Sequence, residues 1–165
     1  MAWFLMEWLS RFATRNRKLL LVCEDYNTQN LVKTHLSPLG RDMLTARSVD
    51  EVREILDHCS ETPALCLIDA QLAGAASGVE LLHLMRTRRD TFRTPAVLLH
   101  GGIGKDEEST LLAKFPRLHL VRKPLDGKEL LAMVKEALRH GDRYRAARTS
   151  LTVTMPRPAR VRQRQ

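Results

Sequence analysis

A chain of 165 residues has room for one ordinary domain with a real core and short extensions. Its 44% apolar content is globular, and no apolar run approaches the ~20 residues of a membrane span. The formal net charge of +8 sits in the ends. Residues 1–18 carry four basic residues and one acid, and residues 141–165 carry seven arginines and one aspartate. The stretch between holds 16 basic and 17 acidic residues, so the basicity says nothing about the fold there. Cys23, Cys59 and Cys66 are an odd number, and two of them lie in apolar runs, where a thiol acts as a small hydrophobe. Met1 to Glu7 lack the positive leader and long apolar core of a secretory signal. Reduced thiols and a cytoplasmic location are the expectation, with no disulfide framework and no zinc pattern.

Residues 3–17 read as an amphipathic helix, with Phe4, Leu5, Trp8, Leu9 and Phe12 on one side. Docking on its own domain or on a twin copy is the plain reading, and a membrane-surface or partner anchor the sharper one. Leu19 to Cys23 is a first buried strand that ends on Glu24 and Asp25. Asn27 is the expected N-cap of a helix to about Leu36, stopped by Ser37-Pro38-Leu39-Gly40. Met43–Ala46 is a short second strand. Ser48 and Glu51 have the spacing of a capping box, opening a helix with Val49, Val52, Ile55 and Leu56 on one face.

Leu65-Cys66-Leu67-Ile68-Asp69 is an unbroken apolar run ending on a carboxylate, the habit of a strand buried on both faces of a parallel sheet. Small residues to Gly78 follow, then a helix lined by Val79, Leu81, Leu82 and Met85. Pro95 to His100 is the fourth strand, closed by Gly101-Gly102, and Lys105 to Phe115 a helix with acids in its first turn. Leu118 to Arg122 is the fifth strand, broken by Lys123-Pro124. Asp126 and Glu129 start a last helix, with Leu130, Leu131, Val134 and Leu138 on its apolar face and Gly141 as its expected stop. Residues 141–165, rich in arginine and proline, are expected to be disordered or only partly helical. Five strands alternating with five helices give a doubly wound α/β domain over residues 18–140.

In a parallel sheet the strand carboxyl ends share one rim, where such folds place their ligands. Here they bring Glu24 and Asp25, Asp69, His100 with Gly101, and Lys123 to that rim. Three carboxylates there call for a positive partner, and a hard divalent ion such as Mg2+ suits them. An aspartate, a divalent metal and a lysine are the parts needed to accept a phosphoryl group: nucleophile, charge clamp and oxyanion partner. The glycines after His100 leave N–H groups open to a phosphate oxygen.

The acid pair Glu24-Asp25, Asp69 and Lys123-Pro124, in that order at those strand ends, resemble the receiver domain of two-component response regulators. The resemblance spans roughly residues 18–140. It implies a flavodoxin-like five-stranded sheet of order 2-1-3-4-5. It also implies Asp69 as phosphoacceptor, Mg2+ held by Glu24, Asp25, Asp69 and the Gln71 backbone carbonyl, and Lys123 on the phosphoryl group across a cis Lys123-Pro124 bond. The implied partners are a histidine kinase or phosphotransfer protein and a downstream protein, with signalling through protein–protein contacts, no enzymatic turnover of a metabolite, and a homodimer as one assembly. Three positions depart from the pattern. His100 stands where receivers usually carry threonine or serine, Leu120 where they carry the switch aromatic, and Ala73 where the loop has proline, with one extra residue before Gly78.

Taken alone, Asp69 is a strand-end acid capping a loop, Lys123 a structural ion pair and His100 a packed histidine. Their joint placement favours the phosphoacceptor. His35, His58, His83, His119 and His140 have no ligand spacing. The rival reading is a pseudo-receiver adaptor that binds partners without phosphorylation, motivated by His100, Leu120 and the altered loop. A third has the basic ends binding nucleic acid or a membrane surface, with no stacking aromatics beyond Tyr144 to support it.

Overall fold

The computed structural model describes residues 17–59, 61–72 and 77–152, with side chains described as far as Gly141. The amphipathic segment expected over residues 3–17 falls outside this range except for Arg17, as do loop residues 73–76 and residues 153–165. Five parallel strands form one sheet of order β2-β1-β3-β4-β5, as the sequence led us to expect. They are β1 (Leu19–Val22), β2 (Met43–Ala46), β3 (Leu65–Asp69), β4 (Ala96–His100) and β5 (Leu118–Arg122). The helices are α1 (Tyr26–Leu36), α2 (Val49–His58), α3 (Gly78–Thr87), α4 (Lys105–Lys114) and α5 (Gly127–Thr152), with a 3-10 turn over Ser37–Leu39.

Because strand side chains alternate, each central strand feeds two cores. Leu20, Val22, Ile68 and Leu98 pack beneath α2, α3 and α4 with Val52, Leu81, Leu82 and Leu111. Leu19, Leu21, Leu67, Leu99 and Val121 pack beneath α1 and α5 with Val32, Leu130 and Val134. Burial on both faces is why these strands read as continuous apolar runs rather than alternating ones. Arg86 of α3 ties the lower loops together, donating to the carbonyls of Phe92, Thr94 and Pro116 at 3.2, 2.9 and 3.0 Å. Among the described residues, no helix is long and apolar enough to cross a membrane.

Three local expectations are corrected. The N-cap of α1 is Asp25, not Asn27; its carboxylate accepts from the Thr28 backbone N–H. Glu51 of α2 reaches the Arg47 N–H, one residue further back than a capping box requires, while Ser48 does accept from Glu51 N–H. Gly141 does not end α5, which continues to Thr152. A Cβ at Gly141 would meet the Pro95 ring at 3.4 Å, an ordinary contact, so the helix passes through this position without requiring glycine. The following Asp-Arg-Tyr-Arg-Ala-Ala-Arg run has enough helix formers to carry the helix on. A capping box that the sequence reading passed over opens α3: Ser77 and Glu80 each satisfy the other's backbone N–H.

Candidate functional site

All five strands end on the same rim, and the register fixes who meets whom. Asp69, the last residue of β3, pairs with Leu99 of β4, and the Ala70 N–H donates to the Leu99 carbonyl at 2.8 Å. His100 ends β4, and its carbonyl accepts from the Lys123 N–H at 2.7 Å. The Lys123-Pro124 bond is cis. This framework brings the Lys123 ammonium to Asp69 Oδ2 at 2.6 Å.

Asp69 is only 4% exposed. A carboxylate removed from water needs compensation, and a charged donor at this distance is the strong kind. Its second oxygen, Oδ1, accepts from the Gln71 N–H at 3.1 Å. Beneath, Gly78 lets the start of α3 approach the strand end; a Cβ there would lie 2.3 Å from the Asp69 carbonyl oxygen.

The residue the sequence reading missed is Cys23. Its Sγ lies 3.4 Å from Asp69 Oδ2, so the carboxylate has a thiol as well as an ammonium at one oxygen. The signal lay in the register. Val22 pairs with Ile68, so the next residues along the two strands, Cys23 and Asp69, stand opposite one another. Burial first, and the Asp69 carboxylate second, push the Cys23 thiol up to about 11.

Glu24 and Asp25 are exposed at the mouth of the rim. Asp25 Oδ2 accepts from both the N–H and the hydroxyl of Thr28, at 2.7 and 2.6 Å. Those bonds hold its carboxyl below the ordinary carboxylate range. A depressed folded-state value stabilises the fold above the unfolded carboxylate pKa of about 3.9 and is lost as pH falls through the lower folded value. Thr28→Val is therefore expected to raise the Asp25 titration midpoint and to weaken the fold at neutral pH, with the difference fading in acid as Asp25 becomes protonated. Carboxyl-detected NMR titration of both proteins checks this; an unchanged midpoint would remove the hydroxyl as the cause.

Among the described residues, no three His, Cys, Asp or Glu side chains already stand together as a metal-ligand set. The donor set still fits Mg2+ chemically. The Thr28 bonds engage only Oδ2 of Asp25, Glu24 is exposed, and all the candidate donors are hard oxygens.

His100 is buried at 3% exposure, and its Nδ1 has no hydrogen-bond partner. Its Nε2 faces Glu108 of α4 at 3.9 Å, too long for a hydrogen bond. Leu120 is half-buried against the core beneath α2–α4. Two other histidines are engaged elsewhere, His83 edge-on to Phe115 and His58 at the Glu54 carbonyl.

The sequence matches no family model and no curated protein. Solved structures do share its fold. The signal receiver domain of a putative Luxo repressor protein from Vibrio parahaemolyticus superposes with a TM-score of 0.71 at 17% identity, over 80% of this chain and 97% of that one. A CheY-like response regulator receiver domain protein from Methanospirillum hungatei JF-1 gives 0.67 at 22% identity, over 78% and 98%. The receiver domain of the Francisella response regulator 1452 gives 0.64 at 20% identity, over 76% and 98%. The chain has the fold of response regulator receiver domains.

Proposed function

We propose that this chain is a phosphoacceptor module of a two-component phosphorelay, phosphorylated on Asp69 and signalling through protein–protein contacts. The observation that carries the reading is the buried Asp69 carboxylate held at 2.6 Å by the Lys123 ammonium, at the rim where the fold binds ligands. In transfer, a carboxylate oxygen of Asp69 bonds to phosphorus. The bond from phosphorus to the donor breaks, and the leaving group departs with that electron pair. The leaving group is a histidine ring for a kinase or phosphotransfer protein and acetate for acetyl phosphate. Lys123 orients the carboxylate beforehand and supplies positive charge to the phosphoryl oxygens as they arrive. The Gln71 N–H fixes the carboxylate plane. Glu24, Asp25, Asp69 and the Gln71 carbonyl would hold Mg2+, which supplies charge neutralisation to the phosphoryl group when bound.

A second reading, a pseudo-receiver adaptor, is favoured by His100. A buried imidazole stands where a phosphate-sensing hydroxyl is usual, and Leu120 replaces the aromatic that would answer it. Under that reading Mg2+ and a phosphoryl mimic leave the NMR spectrum of α4 and β5 unchanged.

Intact mass after incubation with Mg2+ and acetyl phosphate tests the first reading. One phosphoryl adduct is expected on the wild type and none on Asp69→Asn. An equally labelled Asp69→Asn protein would sink the assignment.

A further inference from the structure

We propose that the Cys23 thiol tunes the phosphoryl chemistry of Asp69, donating to Oδ2 of the free carboxylate and losing most of that bond once the carboxyl group is phosphorylated. The inference rests on the phosphoacceptor reading above.

Cys23 is wholly buried, and its position is fixed from both sides. Its N–H donates to the Ala46 carbonyl at 3.0 Å, and its own carbonyl accepts from the buried Gln29 side-chain amide at 2.6 Å. These bonds pin the Cys23 backbone, and full burial confines the Sγ that it carries. Two acceptors lie within its reach, the Asp25 carbonyl at 3.7 Å and Asp69 Oδ2 at 3.4 Å. The nearer is also the charged one. An ordinary thiol is protonated at neutral pH, and facing a carboxylate oxygen at 3.4 Å it can only donate, so Cys23 acts as a donor and not as a thiolate nucleophile.

A hydrogen bond to a full carboxylate is stronger than one to the acyl oxygen of a mixed anhydride. Cys23 thus stabilises the unphosphorylated state. It also stabilises the carboxylate that re-forms as the phosphoryl group leaves to water. An interaction stronger in the leaving carboxylate than in the acyl phosphate speeds loss of the phosphoryl group and slows its gain. Lys123 cannot act this way, because it also attracts the phosphoryl oxygens. Cys23 sets the lifetime of the signal.

The test uses the full chain with Mg2+ and acetyl phosphate. Cys23→Val keeps shape and removes the donor, whereas Cys23→Ser keeps a donor. The expected result is a phosphoryl lifetime about fivefold longer in Cys23→Val, the scale of one modest hydrogen bond, with Cys23→Ser close to wild type. Equal lifetimes in wild type and Cys23→Val overturn the proposal. The infrared S–H stretch, assigned by its loss in Cys23→Val, gives a readout that needs no phosphorylation. It should lie at the hydrogen-bonded position and move to the free position in Asp69→Ala. A free band in the wild type overturns the hydrogen bond outright. A bonded band on a wild type that takes no phosphoryl group overturns the phosphoacceptor reading, and the tuning role with it.

Discussion

Gly78→Ala is expected to destabilise the fold by about 3 kcal/mol, the upper end of the cost of overpacking. The added Cβ would meet the Asp69 carbonyl oxygen at 2.3 Å, the Ala70 Cα at 2.9 Å and the Asp69 carbonyl carbon at 3.0 Å. All three are backbone atoms, so no side chain can swing aside. Alanine's better helix propensity returns about 1 kcal/mol at most. The rest must come from moving α3 off the sheet, with loss of the Gly78 N–H bond to the Ala70 carbonyl, or from shifting the end of β3. Either change displaces Asp69, so phosphorylation should fall together with stability. Urea unfolding and the acetyl phosphate assay, run on one preparation, check both. A stable Gly78→Ala protein with normal labelling would mean that α3 can slide at no cost.

Lys123→Met should lower the rate of phosphorylation roughly a hundredfold, the scale of removing one charge-stabilising donor from a reacting site. Its effect on stability should be smaller, about 2 kcal/mol, although breaking a fully buried pair costs roughly 3–5 kcal/mol. Two features soften the loss. Lys123 is 27% exposed at its side chain, and Asp69 keeps the Gln71 N–H and the Cys23 thiol. A double-mutant cycle isolates the pair, because in an Asp69→Asn background the same lysine change should cost little. If Lys123→Met is equally harmful with Asn at 69, the lysine acts through packing and the ion pair is incidental.

The sheet was legible because its strands are buried on both faces. Leu65 to Ile68 and Ala96 to Leu99 declare themselves as runs, and each ends on a polar residue at the rim, Asp69 or His100. With the alternation of strands and helices, that pointed to Asp69 and Lys123 on one rim, where they meet at 2.6 Å. Cys23 stayed hidden for the same reason the strand was visible, since a thiol inside an apolar run looks like filler. Only the β1–β3 register turns it toward Asp69. The Asp25 cap was missed because Asn27 is as good a capping residue by type, and the chain's entry angle into α1 decides between them. Gly141 misled because a glycine at the end of an apolar stripe is a common stop signal, whereas α5 runs through it to Thr152.

The continuation of α5 separates the two poles of the molecule. The helix starts beside the rim at Asp126 and packs back along the sheet. At Gly141 it lies against Pro95, which precedes β4 at the amino edge. At 1.5 Å per residue, the eleven residues from there to Thr152 add roughly 16 Å on the side away from Asp69. A phosphodonor seated over the rim and a protein gripping the far end of this rod would not compete for the same surface. Under the phosphoacceptor reading, loading and readout occupy separate surfaces of a single copy of the chain.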